Sequence, residues 1–174
     1  MPSINELNAA SIDDATAMIL PFIERSPHTA AKVAERRPFV GPQALIEALG
    51  AEIFSLDEKA FLDLVRGHPV LAPAAPDTMT AESQCEQARL GLFDADAATK
   101  AQLAEMNRLY NKKFGFPFVL ALHQLDSLAD VMEAFMQRLG GSHASEVLAA
   151  RAEIASVSRA RVYAAFSSKE AIGI

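Results

Sequence analysis

The residues best suited to chemistry are His68, set between Gly67 and Pro69 in LVRGHPVLAP (Leu64–Pro73), and the polar run TAESQCEQARLGL (Thr80–Leu92). A glycine past a helix end followed closely by proline is ordinary punctuation, and a histidine there can simply meet the last helix carbonyls. The same corner can also hold, in a fixed orientation, a group that titrates near neutrality. On a helix, Ser83, Glu86 and Gln87 lie at i, i+3 and i+4, so a hydroxyl, a carboxylate and an amide share one face. That face can donate and accept several hydrogen bonds, which suits a small substrate rich in heteroatoms. It also fits the solvated face of an amphipathic helix. Glu82 reads as solvated, and Cys85 as a small buried residue.

Two more features belong with these. FGFPFVLAL (Phe114–Leu122) can supply backbone N–H and C=O groups from a non-helical segment, useful for an imide or urea edge, or can simply pack in the core. Arg161, in VSRARVYAAF, lies four residues after Val157 and four before Ala165, among partly apolar surroundings. A guanidinium there requires a partner, either a structural carboxylate or an anionic ligand. Arg159 reads as solvated.

The elements that must position these groups are helical. Ser11 with Asp14, and Ser55 with Glu58, match the capping pattern of a hydroxyl followed three residues later by an acid. Ser26-Pro27 and Gly41-Pro42 place proline at a first helical position. Helices are expected near 12–24, 27–36, 42–50 and 56–66, with Pro21 late enough in the first to kink or end it. PVLAPAAPDTMT (Pro69–Thr80) reads as an ordered loop. Thr80 caps a helix to about Leu90, and Asp94 or Asp96 opens the next, which Gly115 stops. Pro117 favours an extended entry into the following helix over a strand. Leu128, Val131, Met132, Phe135 and Leu139 repeat at helical spacing up to Gly140-Gly141, and a last helix runs from about Ser145 into Phe166. The expectation is an all-α fold of about eight helices, forming a single domain over 1–174.

Composition narrows the classes. The chain has 174 residues and a net charge of −6, which weighs against a nucleic-acid backbone or an anionic membrane as partner. The basic pairs in ERRP (Glu35–Pro38) and NKKF (Asn111–Phe114) are too short to change that. One cysteine excludes an internal disulfide framework and suits a reducing cytosol. No signal peptide is read at the N-terminus, and runs such as FPFVLAL are far shorter than the roughly 20 residues of a membrane helix. The four histidines form no HExxH pair, and there is no CxxC, GxGxxG, Walker loop or GxSxG elbow, so no metal or nucleotide cofactor is expected.

Taken in order, RPF (Arg37–Phe39), HP.L (His68–Leu71), TAES..EQ (Thr80–Gln87), N..Y...FGFPFV (Asn107–Val119) and EIA....AR (Glu153–Arg161) form a recognisable set. Through them the chain resembles the OHCU decarboxylases, which act on 2-oxo-4-hydroxy-4-carboxy-5-ureidoimidazoline. The resemblance spans nearly the whole chain. It implies an all-helical fold, usually dimeric, working without metal or organic cofactor in urate breakdown to (S)-allantoin, while the cytoplasmic location expected for the chain comes from the composition above. By the resemblance, His68 matches the catalytic proton donor and Pro69 lines the site beside it. Ser83, Gln84, Cys85, Glu86 and Gln87 match the substrate-binding helix, with Glu86 the acid that cooperates with the histidine. Phe118, Val119, Leu120, Ala121 and Leu122 match a segment whose backbone touches substrate, and Arg161 matches an arginine near the pocket. On this reading the Gln87 amide and the backbone around Val119 to Ala121 grip the ureido and ring edges, and His68 is the general acid rather than a helix-end cation.

Three positions depart from the family pattern. Val70 stands where an acidic or polar residue is usual, Cys85 where arginine or another polar residue is more common, and His28 where Ser-Pro is usually followed by tryptophan. They leave two alternatives: a relative acting on a related ureido acid, or a helical protein that binds such a ligand without turnover.

Overall fold

The computed structural model describes residues 3–170, and among them the regular structure is helical with no strand. The fold is all-α. The chain divides into two compact units, one formed by residues up to Leu64 together with those from Ile154 on, the other by Val65–Glu153.

The first unit contains α1 (Ile4–Ala9), α2 (Ile12–Ile19), α3 (Pro27–Ala34), α4 (Pro42–Ser55) and the start of α5 (Glu58–Arg66). The short α1 was not among the expected helices, although Ser3 and Glu6 form a full capping box. It is pinned from a distance: Arg37 Nη1 donates to the carbonyls of Leu7 (2.8 Å) and Ala10 (2.7 Å). Asn8 adds a pair of hydrogen bonds with the Phe39 backbone, each 2.8 Å. The Arg-Pro-Phe motif is thus a clamp on α1.

Ser11 caps α2 as expected, and Pro27 and Pro42 occupy first helical positions. Pro21 ends α2 early, at Ile19, and the chain tightens into a 3₁₀ turn over Leu20–Phe22 instead of continuing to 24. α4 runs past Gly50 to Ser55, because Leu45, Leu49, Glu52 and Ile53 extend the buried stripe beyond the glycine. Ser55 therefore caps nothing; Asp57 accepts the Ala60 N–H at 2.8 Å and opens α5.

The second unit contains the end of α5, then α6 (Ala81–Arg89), α7 (Ala97–Phe114), α8 (Leu128–Leu139) and the start of α9 (His143–Glu170). Asp96, not Asp94, caps α7 by accepting the Thr99 N–H at 2.7 Å, and this contact holds its carboxyl below the usual carboxylate range. Gly115 ends α7 at φ 80°, a conformation glycine adopts without strain. The chain then runs without regular secondary structure from Phe116 to Ala121 and makes a 3₁₀ turn over Leu122–Gln124 before Ser127 caps α8.

Tyr110, Phe114, Phe116, Phe118 and Phe135 form the core here. Tyr110 lies edge-on to Phe118 (5.1 Å) and Phe135 (5.8 Å), while Phe118 stacks on Phe135 at 3.9 Å between centroids. Burying each ring contributes about 2–3 kcal/mol, which fixes a segment that has no ladder of backbone hydrogen bonds. Among the described residues, no helix is long and apolar enough to cross a membrane.

Candidate active site

α5 ends at Arg66, and the His68 N–H closes back on the Val65 carbonyl at 3.1 Å, turning the chain through Gly67 into Pro69. His68 is buried, with 9 % exposure. The loop that follows carries a strained residue, Ala72 at φ 47°. An alanine in that region costs about 1–2 kcal/mol, and such strain persists only where neighbours hold it.

The neighbour is Gln87. Its Oε1 accepts the Ala72 N–H at 2.8 Å and its Nε2 donates to the Val70 carbonyl at 3.0 Å. Gln84 Nε2 reaches the Met79 carbonyl at 3.1 Å, and Asn107 Nδ2 reaches the Leu71 carbonyl at 2.8 Å. Three carboxamides from α6 and α7 thus hold a loop that has no regular structure of its own.

α6 itself is unusual in what it buries: along Ala81–Arg89 the buried residues are Ser83 and Gln87. A helix that turns a hydroxyl and an amide inward, instead of an apolar stripe, calls for polar partners there. Glu86 lies half-buried beside them, so the three polar groups do share one side. Cys85 does not join them. It is exposed, on the opposite side of the helix from Ser83 and Gln87, which corrects the expectation of a small buried residue.

α6 is tied to the segment Phe118–Leu122 as well. Arg89 donates to the Leu122 carbonyl and, at 2.9 Å, to that of Leu125. Phe118, Val119, Ala121 and Leu122 are buried, while Leu120 is partly exposed. Further side chains grip this segment: Arg138 Nη1 donates to the Val119 carbonyl at 2.8 Å, and Glu153 Oε2 accepts the Ala121 N–H at 2.7 Å. Arg138 Nε also meets Glu146 at 2.9 Å, and the same carboxylate accepts the Tyr110 hydroxyl at 2.6 Å. Burial, and next the Glu146 hydrogen bond, push the Tyr110 phenol well above its ordinary pKa.

Two stretches far apart in sequence are therefore joined within the second unit: the loop after His68 with α6, which follows it directly, and the segment Phe118–Leu122. Pro69 stands half-buried at the start of that loop. Arg161 lies in the first unit, where its Nη1 donates to Glu24 at 2.9 Å and to the Pro21 carbonyl at 3.2 Å. Of the two partners foreseen for it, the structure supplies the carboxylate. Glu24 and Arg25 are themselves at positive φ (21° and 49°), so this buried pair holds a strained bend. Arg138, Glu153, Gln84, Arg89 and Asn107 escaped the sequence reading as holders of these segments. Each acts on backbone, which leaves no pattern in the side chains it serves.

Among the described residues, no group of three or more His, Cys, Asp and Glu side chains is arranged to hold a metal ion. A cavity of about 390 Å³ lined by Ala72, Pro73, Pro76, Phe93 and Lys100, among others, contains none of the candidate residues.

The profile of the OHCU decarboxylase family matches residues 8–163, across both units. The mouse 2-oxo-4-hydroxy-4-carboxy-5-ureidoimidazoline decarboxylase is 34 % identical over 164 residues, covering 93 % of this chain and 90 % of that protein. The protein of the same name from Amia calva is 30 % identical, covering 91 % of each. A crystal structure of an OHCU decarboxylase in the presence of (S)-allantoin shares the fold, with a TM-score of 0.69 at 22 % identity, covering 88 % of this chain and 98 % of that one. A crystal structure of (S)-allantoin synthase does so with a TM-score of 0.75 at 16 % identity, covering 95 % of this chain and 54 % of that one. This chain belongs to the OHCU decarboxylase family.

Proposed function

We propose that this protein is a decarboxylase of urate breakdown, converting 2-oxo-4-hydroxy-4-carboxy-5-ureidoimidazoline to (S)-allantoin with no cofactor. The reading rests on family membership and on one structural observation: Gln87, on the polar side of α6, holds the strained loop that follows His68. The proton donor and the polar face then have a fixed relation.

The substrate carries its own electron sink. When the carboxylate leaves as CO₂, the bonding pair moves toward the neighbouring ring C=N, and the ring nitrogen takes up a proton. The resulting enol loses its hydroxyl proton while the adjacent carbon gains one, giving the keto product. Handedness is set by the face from which that last proton arrives. His68 is the general acid for this step, with an imidazole whose ordinary range lies near neutrality. Glu86 orients His68 or accepts the hydroxyl proton. Ser83, with the backbone of Phe118–Leu122, binds the ureido and ring edges, while Pro69 packs beside them. Gln84 and Gln87 contribute chiefly by fixing the loop, Cys85 contributes no side chain, and Arg161 supports the first unit through Glu24.

The departures from the family pattern leave this frame intact. Val70 takes part through its carbonyl, and Cys85 is exposed on the outer side of α6. The expected acid, rather than a relative of it, is therefore the substrate we assign. A cytoplasmic homodimer accompanies this reading.

The test uses substrate generated in the cuvette by urate oxidase and the following hydrolase, with circular dichroism reporting product handedness. Rapid appearance of the (S)-allantoin signal supports the assignment. A slow, racemic signal equal to spontaneous decay counts against it and favours binding without turnover.

A further inference from the structure

The segment Phe118–Leu122 is gripped at two successive peptides, and in each case the gripped group is the far half of a peptide shared with Leu120. The Val119 carbonyl, held by Arg138 at 2.8 Å, belongs to the same peptide as the Leu120 N–H. The Ala121 N–H, held by Glu153 at 2.7 Å, belongs to the same peptide as the Leu120 carbonyl. In a trans peptide the N–H and C=O point in opposite directions, so fixing one half aims the other.

Among the described residues, neither the Leu120 N–H nor its C=O makes a hydrogen bond to the protein, and Leu120 is partly exposed between buried neighbours. The gripping pair is itself rigid. Arg138 lies 3.8 Å from Glu153, is anchored by Glu146 at 2.9 Å, and sits over the Phe118 ring at 4.7 Å. Its charge matters too. A guanidinium on the first carbonyl makes the Leu120 N–H a stronger donor, and a carboxylate on the next N–H makes the Leu120 carbonyl a stronger acceptor.

We infer that Arg138 and Glu153 are positioning residues that aim and polarise the Leu120 N–H and C=O as a donor–acceptor couple. Its complement is an adjacent C=O and N–H, the edge that a ureide or cyclic amide carries. The inference rests on the decarboxylase reading and deepens it, since it gives the backbone segment a defined recognition task and names what prepares it.

Glu153 is the better handle, being partly exposed and outside the buried Tyr110–Glu146 contact. Steady-state kinetics on Glu153→Ala and Glu153→Gln, with calorimetric binding of (S)-allantoin, form the test. Glu153→Ala is expected to raise KM and weaken allantoin binding about ten-fold, the effect of losing one partly buried charged hydrogen-bond partner. Its kcat should stay within about three-fold of wild type. Glu153→Gln keeps an oxygen for the Ala121 N–H without the charge and should recover part of the loss, and Arg138→Lys should reproduce the KM rise. A merely structural role predicts a smaller active fraction with unchanged KM and unchanged allantoin affinity, and that result overturns the inference while leaving the decarboxylase reading intact. Wild-type protein that neither turns over the acid nor binds allantoin overturns both.

Discussion

Arg161 and Arg138 are both largely buried, each paired with a buried glutamate at 2.9 Å, yet they serve different kinds of segment. Arg161 holds Glu24 in a bend of the first unit, and it also bonds the Pro21 carbonyl in the same bend. Arg138 uses Glu146 as an anchor and extends a second arm to the Val119 carbonyl, in the segment assigned to the substrate. The first arginine is a strut. The second transmits the rigidity of an aromatic core to the peptide between Val119 and Leu120. Burial and an ion pair are thus shared by two arginines that grip different kinds of backbone: a bend of the first unit and the segment Phe118–Leu122.

The largest effect should come from breaking the strut. Arg161→Leu leaves the Glu24 carboxylate buried without its cation and should cost about 3–5 kcal/mol in urea unfolding. Adding Glu24→Gln should return much of that. If Arg161→Leu kept its stability and instead raised KM, Arg161 would be acting on the ligand and the contrast would fail.

A smaller effect is expected at Gln87. Removing its amide in Gln87→Ala orphans the Ala72 N–H and the Val70 carbonyl, a loss of about 1–3 kcal/mol. Because those groups lie in the loop after His68, kcat should fall with stability, unlike the result for Arg161→Leu once the folded fraction is corrected for.

Smallest is the alkaline behaviour of Tyr110. Its folded-state pKa is raised, so the folded protein holds the phenol proton more tightly than the unfolded chain does. The associated stability is complete below the unfolded value of about 10 and declines as pH rises above it. Thermal unfolding followed from pH 8 to 11 should show that decline in wild type and a shallower one in Tyr110→Phe. Arg161→Leu should leave the slope in place, separating the two arginine neighbourhoods.

Much of this was legible in the sequence, for reasons that differ by element. Helices with a proline at the first turn, and α2 with its Ser11–Asp14 cap, were readable because those signals act within one turn, whereas the Ser55–Glu58 pattern pointed to a cap that Asp57 supplies instead. The α4 boundary was missed because Gly50 looks like a stop locally, while the buried stripe that overrides it depends on packing. α1 went unread although Ser3 and Glu6 were in view, since its anchors Arg37 and Phe39 lie about thirty residues away. In the candidate site, Ser83 and Gln87 declared themselves by helical spacing, but the Gln87 amide meets a loop 15 and 17 residues back, beyond any local pattern. Ala72 gives no sign in its side chain that its backbone is strained. Arg161 stood out among apolar neighbours, whereas Arg138 precedes Gly140-Gly141 in the last turn of α8 and reads there as an ordinary helix-end cation.

The most direct measurement on the central claim compares wild type with His68→Ala under circular dichroism, on substrate made in the cuvette. Rapid formation of (S)-allantoin by wild type, reduced in His68→Ala to the slow racemic background, is the predicted result. Equal rates and equal handedness from the two proteins, with both folded, would contradict the assignment of His68 as the general acid.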